Sequence, residues 1–310
     1  GTYSTSTVGT SKTITVVYTL AGADKDNYIK PVDKVYTDGV ITAKQLTVAD
    51  PIITRSKEYD KTLTANVTAG TLSNVVKVGS ATDAVTASAV GTYSTSIAGT
   101  SKAITVVYTL AGADKDNYIK PVDKVYTDGV ITAKQLTITA KPHTILYNGT
   151  NYSGGNGVNL TEMASGESIS NLTGTLNYTG TSQGAKNVDI YTIIPNGLSS
   201  PNYNIVYVGD NLEIKKATLK VIAGNQSVNF GTPAAKILTD ATFTYASLLG
   251  GDNASAITGS LSYSTNYTPL TSTGSAGIYI EPIISGLSAA NYNLIAEKGN
   301  ITITASPSTP

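Results

Sequence analysis

The chain has 310 residues, and its 21 Lys and Arg balance its 21 Asp and Glu, so its formal net charge is zero. This balance predicts no nucleic-acid partner, because binding to phosphates needs a basic surface. The sequence has no Cys, which excludes disulfides and thiolate metal sites. No apolar run approaches the ~20 residues of a membrane-spanning helix, so we expect no membrane span.

The residue types favour strands joined by turns. Thr, Val, Ile and Tyr fit pleated strands, whereas Gly, Asn and Asp fit the turns between them. The aromatic residues are 20 Tyr and 2 Phe, with no Trp. A tyrosine can bury its ring while its hydroxyl stays hydrogen-bonded near the surface, which suits thin cores. We therefore predict an all-β protein.

The beginning of the chain carries no targeting signal. Residues 1–4 have neither the charged nor the apolar region of a signal peptide. We therefore expect the chain to be a piece of a longer protein.

An internal repeat organises the sequence. Residues 1–48 recur at 91–138, and the two copies differ at four positions only. The differences are Thr7/Ile97, Val8/Ala98, Thr13/Ala103 and Val48/Ile138. A repeat of this length is typical of a tandem array of similar folding units.

Four anchors extend the repeat along the whole chain. Each consists of Gly, four further residues and then Asn-Tyr, so that Gly and Tyr are six positions apart. We expect each Asn to hydrogen-bond turn backbone through its side chain. We expect each Tyr to be a buried structural anchor, similar in role to a tyrosine corner. The predicted anchors are Asn27 and Tyr28, Asn117 and Tyr118, Asn202 and Tyr203, and Asn291 and Tyr292.

A second motif marks where the repeating modules begin. An aromatic residue followed by a turn lies 13, 11 and 11 residues after Leu46, Leu136 and Leu219. These aromatics are Tyr59, Tyr147 and Phe230. We predict complete modules at 45–134, 135–216 and 217–305, the second half of another module at 1–44, and a linker-like tail at 306–310.

Within the modules, alternating apolar residues predict short strands, as at 104–110 and 301–304. The best candidates for helix are 160–164 and 245–249, with one or two turns each. We predict small two-layer β modules, and the sequence leaves open whether they are immunoglobulin-like sandwiches or β-grasp-like sheets. Linkers without Gly near residues 134 and 216 limit rotation between modules, so we expect an elongated, semi-rigid rod.

The motifs resemble those of two domain families that recur in giant bacterial surface proteins, including filamentous-haemagglutinin-like adhesins. The module at 45–134 resembles a YDG domain through Tyr59-Asp60-Lys61-Thr62 and 112–118, although Lys61 stands where the naming motif has Gly. The module at 135–216 resembles an MBG domain through 184–188 and 197–205, and 217–305 resembles a more divergent one. The resemblance implies an extracellular, cell-surface stalk or adhesin with no catalytic residues.

The residues that could carry chemistry are sparse. His143 is the only histidine, so the chain itself holds no Ser-His-Asp triad and no multi-histidine metal site. The nearest carboxylate pairs, such as 162 with 167, are more simply read as turn residues. A calcium site at 114–117 or its copy at 24–27 is disfavoured by the lysine between the acids. We expect no enzyme activity, no cofactor and no metal.

Two functions remain. Near-identical tandem copies favour a structural spacer, because duplication lengthens a stalk without requiring any copy to bind. Its partners are then the neighbouring modules of the same long chain. The alternative is an adhesive module that recognises a host or environmental glycan or protein through loops such as 151–159 and 265–275 of modules 135–305. The absence of Trp favours the spacer.

Overall fold

The computed structural model describes residues 1–306, and almost all of its regular structure is β-strand. The all-β prediction is confirmed. The chain divides into two compact units: unit 1 comprises 1–134, 164–167 and 201–204, and unit 2 comprises the rest. The longest helix of residues 1–306 has six residues, far short of the ~20 needed to cross a bilayer.

Unit 1 holds a large sheet and several small ones. A five-stranded sheet has the order β7-β16-β14-β13-β8, and a three-stranded sheet has the order β1-β2-β3. Four two-stranded pairs join β4 to β15, β5 to β10, β6 to β9 and β11 to β12. The strands are β1 (Thr2–Tyr3), β2 (Gly9–Val16), β3 (Lys34–Ile41), β4 (Lys44–Gln45), β5 (Thr47–Val48), β6 (Ile52–Ile53), β7 (Ser56–Glu58), β8 (Thr64–Ala65), β9 (Val67–Thr68), β10 (Leu72–Ser73), β11 (Lys77–Val78), β12 (Ala81–Thr82), β13 (Thr86–Tyr93), β14 (Gly99–Ala111), β15 (Tyr118–Ile119) and β16 (Lys124–Thr132).

The two copies of the repeat in unit 1 pair their strands in the same register. In β2 and β3, Lys12 lies opposite Gly39 and Ile14 opposite Tyr36. In β14 and β16 the corresponding residues, 90 positions later, pair in the same way, and both ladders have irregularities at the same two places. The same alternation of side chains therefore produces the same antiparallel pair twice.

Unit 2 contains two pairs of sheets. Each pair consists of a three-stranded sheet (β19-β17-β22 or β26-β24-β31) and a four-stranded sheet (β18-β23-β21-β20 or β25-β32-β29-β28), and β27 pairs with β30. The strands are β17 (Lys134–Ala140), β18 (His143–Leu146), β19 (Val158–Thr161), β20 (Thr173–Thr179), β21 (Asp189–Ser199), β22 (Tyr203–Val208), β23 (Asp210–Lys215), β24 (Ala217–Ala223), β25 (Gln226–Asn229), β26 (Phe243–Ala246), β27 (Ile257–Gly259), β28 (Ser262–Thr265), β29 (Tyr279–Ile283), β30 (Leu287–Ala289), β31 (Tyr292–Glu297) and β32 (Gly299–Thr304).

In both units, strands that are far apart in the sequence pair in parallel. β7 runs parallel to β16, β18 to β23, and β25 to β32. β4 also runs parallel to β15, and β24 to β31. A tight hairpin joins only antiparallel neighbours. These five pairs therefore bring an opening segment next to a closing segment some seventy residues later, as in the pairing of Gln226 with Ile301.

The cores of unit 2 lie between paired sheets. Ala223 of the three-stranded sheet packs in one cluster with Ile280 and Ile301 of the four-stranded sheet. This arrangement agrees with the predicted two layers. The strands predicted at 104–110 and 301–304 are confirmed, since they lie within β14 and β32.

The predicted helices are wrong. Residues 160–161 end β19 and 245–246 end β26. Short apolar runs do not distinguish a strand from a helical turn, and sheet pairing decides between them. The one α-helix of residues 1–306 is α1 (Ala234–Thr239), which follows Pro233. Short 3₁₀ turns lie at Lys25–Asn27, Lys115–Asn117, Ile169–Asn171, Ala254–Ala256 and Ile284–Gly286. Residues 307–310 of the predicted tail lie outside the described residues.

Candidate functional site

Three of the four Asn-Tyr anchors form sites of the same construction. Tyr118, Tyr203 and Tyr292 are 7%, 5% and 2% exposed. We name these places the Asn117, Asn202 and Asn291 sites after the preceding asparagine. The fourth anchor differs, because Tyr28 is 72% exposed. The expectation of a buried anchor is therefore wrong for Tyr28.

The asparagine of each site binds a turn that is remote in sequence. Its Oδ1 accepts the backbone N–H of a residue 109, 104 or 103 positions earlier, at 2.9, 2.9 and 3.0 Å. The sequence predicted a bond to turn backbone but did not indicate that the turn lies more than a hundred residues away. No side-chain hydrogen bond of Asn27 occurs within residues 1–306. Val8 donates its N–H to Asn117, Ala98 to Asn202 and Val188 to Asn291.

The tyrosine of each site connects a backbone amide to a carboxylate. At the Asn291 site, the hydroxyl of Tyr292 accepts the N–H of Leu249 at 2.9 Å and donates to Asp252 at 2.8 Å. The other two sites repeat both bonds. Tyr118 accepts from Val76 and donates to Asp83, and Tyr203 accepts from Ala164 and donates to Glu167.

A second tyrosine completes two of the sites. Tyr147 donates to Asp252 at 2.7 Å, and Tyr59 donates to Glu167 at 2.7 Å. These two residues are the aromatics with which the sequence motif opens a module. They are 2% and 4% exposed, so their rings are part of the core. The sequence predicted a module start at these positions but no contact with an Asn-Tyr anchor.

Hydrogen bonding keeps the carboxylate of Asp252 charged, and burial keeps the phenols beside these carboxylates neutral. Hydrogen bonds from Tyr147 and Tyr292 hold the pKa of Asp252 below its usual range, against the effect of burial. Burial, reinforced by the nearby Asp252, raises the pKa of Tyr147 to about 12. Burial and then the bond to Glu167 raise the pKa of Tyr59 well above its usual range. At neutral pH the carboxylate of Asp252 is therefore an acceptor, and the phenols of Tyr147 and Tyr59 are donors.

Sequence reasoning did not predict that acidic residues bind the anchor tyrosines. Asp83, Glu167 and Asp252 lie 35, 36 and 40 positions before the tyrosine that they bind. An isolated acid at a roughly constant distance before the anchor was the available signal. It is weak, because the spacing varies and the residue type changes between Asp and Glu.

The residues considered for calcium make other contacts. Asp114 accepts the backbone N–H of Ala84 at 2.7 Å, and Asp116 pairs with Lys115 at 2.6 Å. Within residues 1–306, no three His, Cys, Asp or Glu side chains are grouped so that they could hold a metal ion. His143 is hydrogen-bonded to the hydroxyl of Tyr152 at 3.0 Å.

Two family models match parts of the chain. Residues 42–126 match the model of the YDG domain family, and residues 136–213 match the model of the MBG domain of the YGX type. Comparison of the sequence with curated proteins finds no match. The chain therefore carries a YDG domain followed by an MBG domain.

Proposed function

We propose that the chain is a structural spacer in the stalk of a giant bacterial surface adhesin, where it acts outside the cell and has no enzymatic role. The presence of YDG and MBG domains supports a modular structural or binding role. The observation that carries the spacer function is the parallel pairing of opening and closing strands. The partners of such a segment are the neighbouring modules of the same long chain.

Parallel pairing suits a segment under tension. When the opening strand is pulled towards its N-terminus and the closing strand towards its C-terminus, the two slide along each other. The hydrogen bonds of a parallel pair are evenly spaced along the two strands, so this sliding motion loads the bonds of the pair together. β25 and β32 pair over four residues, and β24 and β31 over six. The unfolding rate, which governs resistance to force, should therefore be low.

The Asn-Tyr sites support the same role. In unit 2, Asn291 accepts from Val188 while Tyr292 and Tyr147 share Asp252. Each of these contacts joins residues that are 40 to 105 positions apart. These contacts are partly buried. A polar group that loses its partner away from water costs about 1–3 kcal/mol, so such contacts resist the separation of the segments that they join.

Force spectroscopy on the full chain, held at its two ends, tests this function. We expect unfolding in discrete steps, and we expect Tyr147→Ala to lower the force of at least one step because it removes a buried contact. Tyr28→Ala is the matched control and should leave every step unchanged, since Tyr28 is exposed. Extension without force peaks would contradict a load-bearing role.

A cavity in unit 2 favours one alternative, the binding of a glycan or protein. The cavity has a volume of about 520 Å³, and Leu146, Ile190 and Glu213 contribute to its lining. Leu146 and Ile190 are 63% and 62% exposed, and exposed apolar side chains grouped together often mark a binding surface. A glycan array and a panel of extracellular matrix proteins test this alternative. Binding that is lost in Leu146→Asp and Ile190→Asp would favour it over the spacer.

A further inference from the structure

Ten asparagines of the chain stand in the triplet Asn-x-Ser/Thr, in which x is not Pro. This triplet is the acceptor sequence for N-linked glycosylation. The chain has 22 Asn, and 76 of its 310 residues are Ser or Thr, so chance would place a Ser or Thr two positions after about five of the asparagines. The triplets are therefore about twice as frequent as the composition predicts. They begin at Asn66, Asn148, Asn151, Asn159, Asn171, Asn177, Asn225, Asn253, Asn266 and Asn300.

The fold places every triplet asparagine at the surface. All ten are exposed. Four asparagines of the chain are half-buried, and none of these begins a triplet; they are Asn117, Asn196, Asn202 and Asn291. Three of the four are the anchors whose side chains bind remote turns. The asparagines that hold the fold together and those that carry the triplet are therefore separate sets. A bulky, hydrophilic sugar is accommodated only at the surface.

The triplets are concentrated in unit 2. Nine of the ten lie there, and Asn66 is the one in unit 1. The duplicated segments 1–48 and 91–138 contain none. Duplication of a module therefore does not account for the number of triplets, because each of them stands in sequence that is not part of this repeat.

The chemistry of attachment requires a free amide nitrogen. The Nδ2 of the asparagine forms a bond to the anomeric carbon of a sugar, while the bond from that carbon to a phosphate oxygen breaks. The phosphate leaves with the electron pair of the broken bond, and Nδ2 gives up one proton. No oxidant or reductant takes part. The donor is a sugar activated by a phosphate leaving group, and an Nδ2 that donates to the protein is less available to it.

Two triplets hold the carboxamide through its oxygen and leave the nitrogen free. The Oδ1 of Asn148 accepts the N–H of Thr150 at 2.9 Å and the hydroxyl of Thr150 at 2.8 Å. The Oδ1 of Asn253 accepts the N–H of Ser255 at 2.9 Å. These are turns closed by an asparagine side chain on the residue two positions later. Neither Nδ2 donates to an acceptor within residues 1–306, so both amide nitrogens are oriented by the triplet itself and accessible.

Two other triplets have the opposite arrangement. The Nδ2 of Asn177 donates to the carbonyl of Thr175 at 3.2 Å, and the Nδ2 of Asn266 donates to the carbonyl of Gly277 at 3.0 Å. The Oδ1 of Asn266 also accepts the N–H of Tyr279 at 2.9 Å. These bonds must break before either nitrogen can react. Exposure alone therefore does not make the ten triplets equivalent.

We propose that unit 2 carries N-linked sugars, attached to the triplet asparagines whose Nδ2 is free, with Asn148 and Asn253 foremost. The donor is a sugar activated at its anomeric carbon by a phosphate leaving group. The inference rests on the proposed function, in which this surface faces the outside of the cell. Sugars make the surface bulky and hydrophilic. At Asn159, in the edge strand β19, a sugar also blocks an unpaired strand edge.

Peptide mapping by tandem mass spectrometry of the protein purified from the cells that produce it tests the proposal. Electron-transfer fragmentation keeps a sugar attached and assigns it to one residue. We expect sugar at Asn148 and Asn253 and much lower occupancy at Asn177 and Asn266. Ten unmodified triplets would overturn the proposal. So would occupancy at Asn177 and Asn266 that equals or exceeds the occupancy at Asn148 and Asn253.

Matched substitutions at Thr150, made in the same cells, test whether the triplet directs attachment. Thr150→Ala removes the triplet and should abolish the sugar at Asn148, whereas Thr150→Ser retains a hydroxyl and should keep it. Occupancy at Asn253 is the internal control, and thermal melting followed by circular dichroism checks folding. Sugar at Asn148 in Thr150→Ala would overturn the assignment. Force peaks from a chain without sugar would reject this inference alone and leave the spacer function standing.

Discussion

Tyr147 and Tyr292 lie edge to face, with ring centres 5.4 Å apart and an angle of 81° between their planes. Both hydroxyls donate to the same oxygen of Asp252. Tyr59 and Tyr203 reproduce the distance and the angle around Glu167. An edge-to-face pair places the positive edge of one ring against the negative face of the other, so ring packing and hydrogen bonding favour the same arrangement.

The buried anchor tyrosines should contribute strongly to stability. We expect Tyr118→Ala to lower the free energy of unfolding of its cooperative unit by about 3–5 kcal/mol, as for other truncations of buried aromatic side chains. Urea unfolding followed by circular dichroism measures this change. The control is Tyr28→Ala, which changes the same residue in the matching sequence.

Because Tyr28 is largely exposed, its substitution should change the free energy of unfolding by less than about 0.5 kcal/mol. Equal effects of the two substitutions would mean that the surroundings of Tyr118 do not determine its contribution. A silent Tyr118→Ala would contradict the structural role of the anchor.

The asparagine of an anchor should matter through its remote hydrogen bond. We expect Asn291→Ala to cost about 1–3 kcal/mol, because the N–H of Val188 loses its acceptor and Asn187 loses the bond from Nδ2. Asn27→Ala is the control, since Asn27 is exposed. Amide hydrogen exchange at Val188 provides a local readout. Unchanged protection there would argue against the bond.

Acid should destabilise unit 2 through Asp252. Its pKa in the folded state is depressed, so its contribution is present above the pKa of the unfolded state. That contribution is lost as the pH falls through the folded pKa. We expect the melting temperature to fall as the pH drops below the ordinary value of 3.8. Tyr147→Phe should show a smaller loss, because one bond to the carboxylate is already absent.

Base should act on the same site through Tyr147. Its pKa is raised from 10.0 to about 12, so its contribution is complete below pH 10.0 and is lost as the pH rises through the folded value. Thermal melting between these limits should show a steeper loss for the wild-type chain than for Tyr147→Phe, which has no proton to lose. Identical curves would contradict the assignment.

Removal of divalent ions should have little effect. We expect EDTA to leave the melting temperature unchanged, because Asp114 already accepts a backbone N–H and Asp116 already pairs with Lys115. The matched test is Asp114→Asn, which should behave identically with and without EDTA. A large drop in melting temperature with EDTA in the wild-type chain alone would revive a calcium site at this turn.

Two glycines at matching positions of the repeat distinguish the cost of backbone strain from the cost of a steric clash with a neighbouring segment. Gly22 and Gly112 have φ values of +111° and +109°, but only at Gly112 would an added Cβ lie 2.1 Å from the carbonyl oxygen of Ala84. Positive φ costs about 1–2 kcal/mol in each case. We expect Gly112→Ala to be clearly more destabilising than Gly22→Ala in chemical unfolding. Equal losses of unfolding free energy would indicate that the segment around Ala84 moves to make room for the added Cβ.

The sequence by itself determined the β class, several strands and the repeated anchors. These features are local: alternation of side chains specifies a strand, and Gly, Asn and Asp specify turns. The resemblance to YDG and MBG domains could likewise be recognised from short motifs around Tyr59 and Asn202. Helix was predicted wrongly at 160–164 and 245–249, because pairing with a neighbouring strand overrides the weak local preference there.

Tertiary structure alone decided which anchors are buried and which acids they bind. Tyr28 and Tyr118 sit in identical sequence from residue 14 to 47 and from 104 to 137, yet one is exposed and the other is buried. Of these two tyrosines, it is Tyr118 whose hydroxyl accepts the N–H of Val76 and donates to Asp83. Burial depends on which segments pack over a side chain, and that packing is non-local, so identical local sequences have different environments.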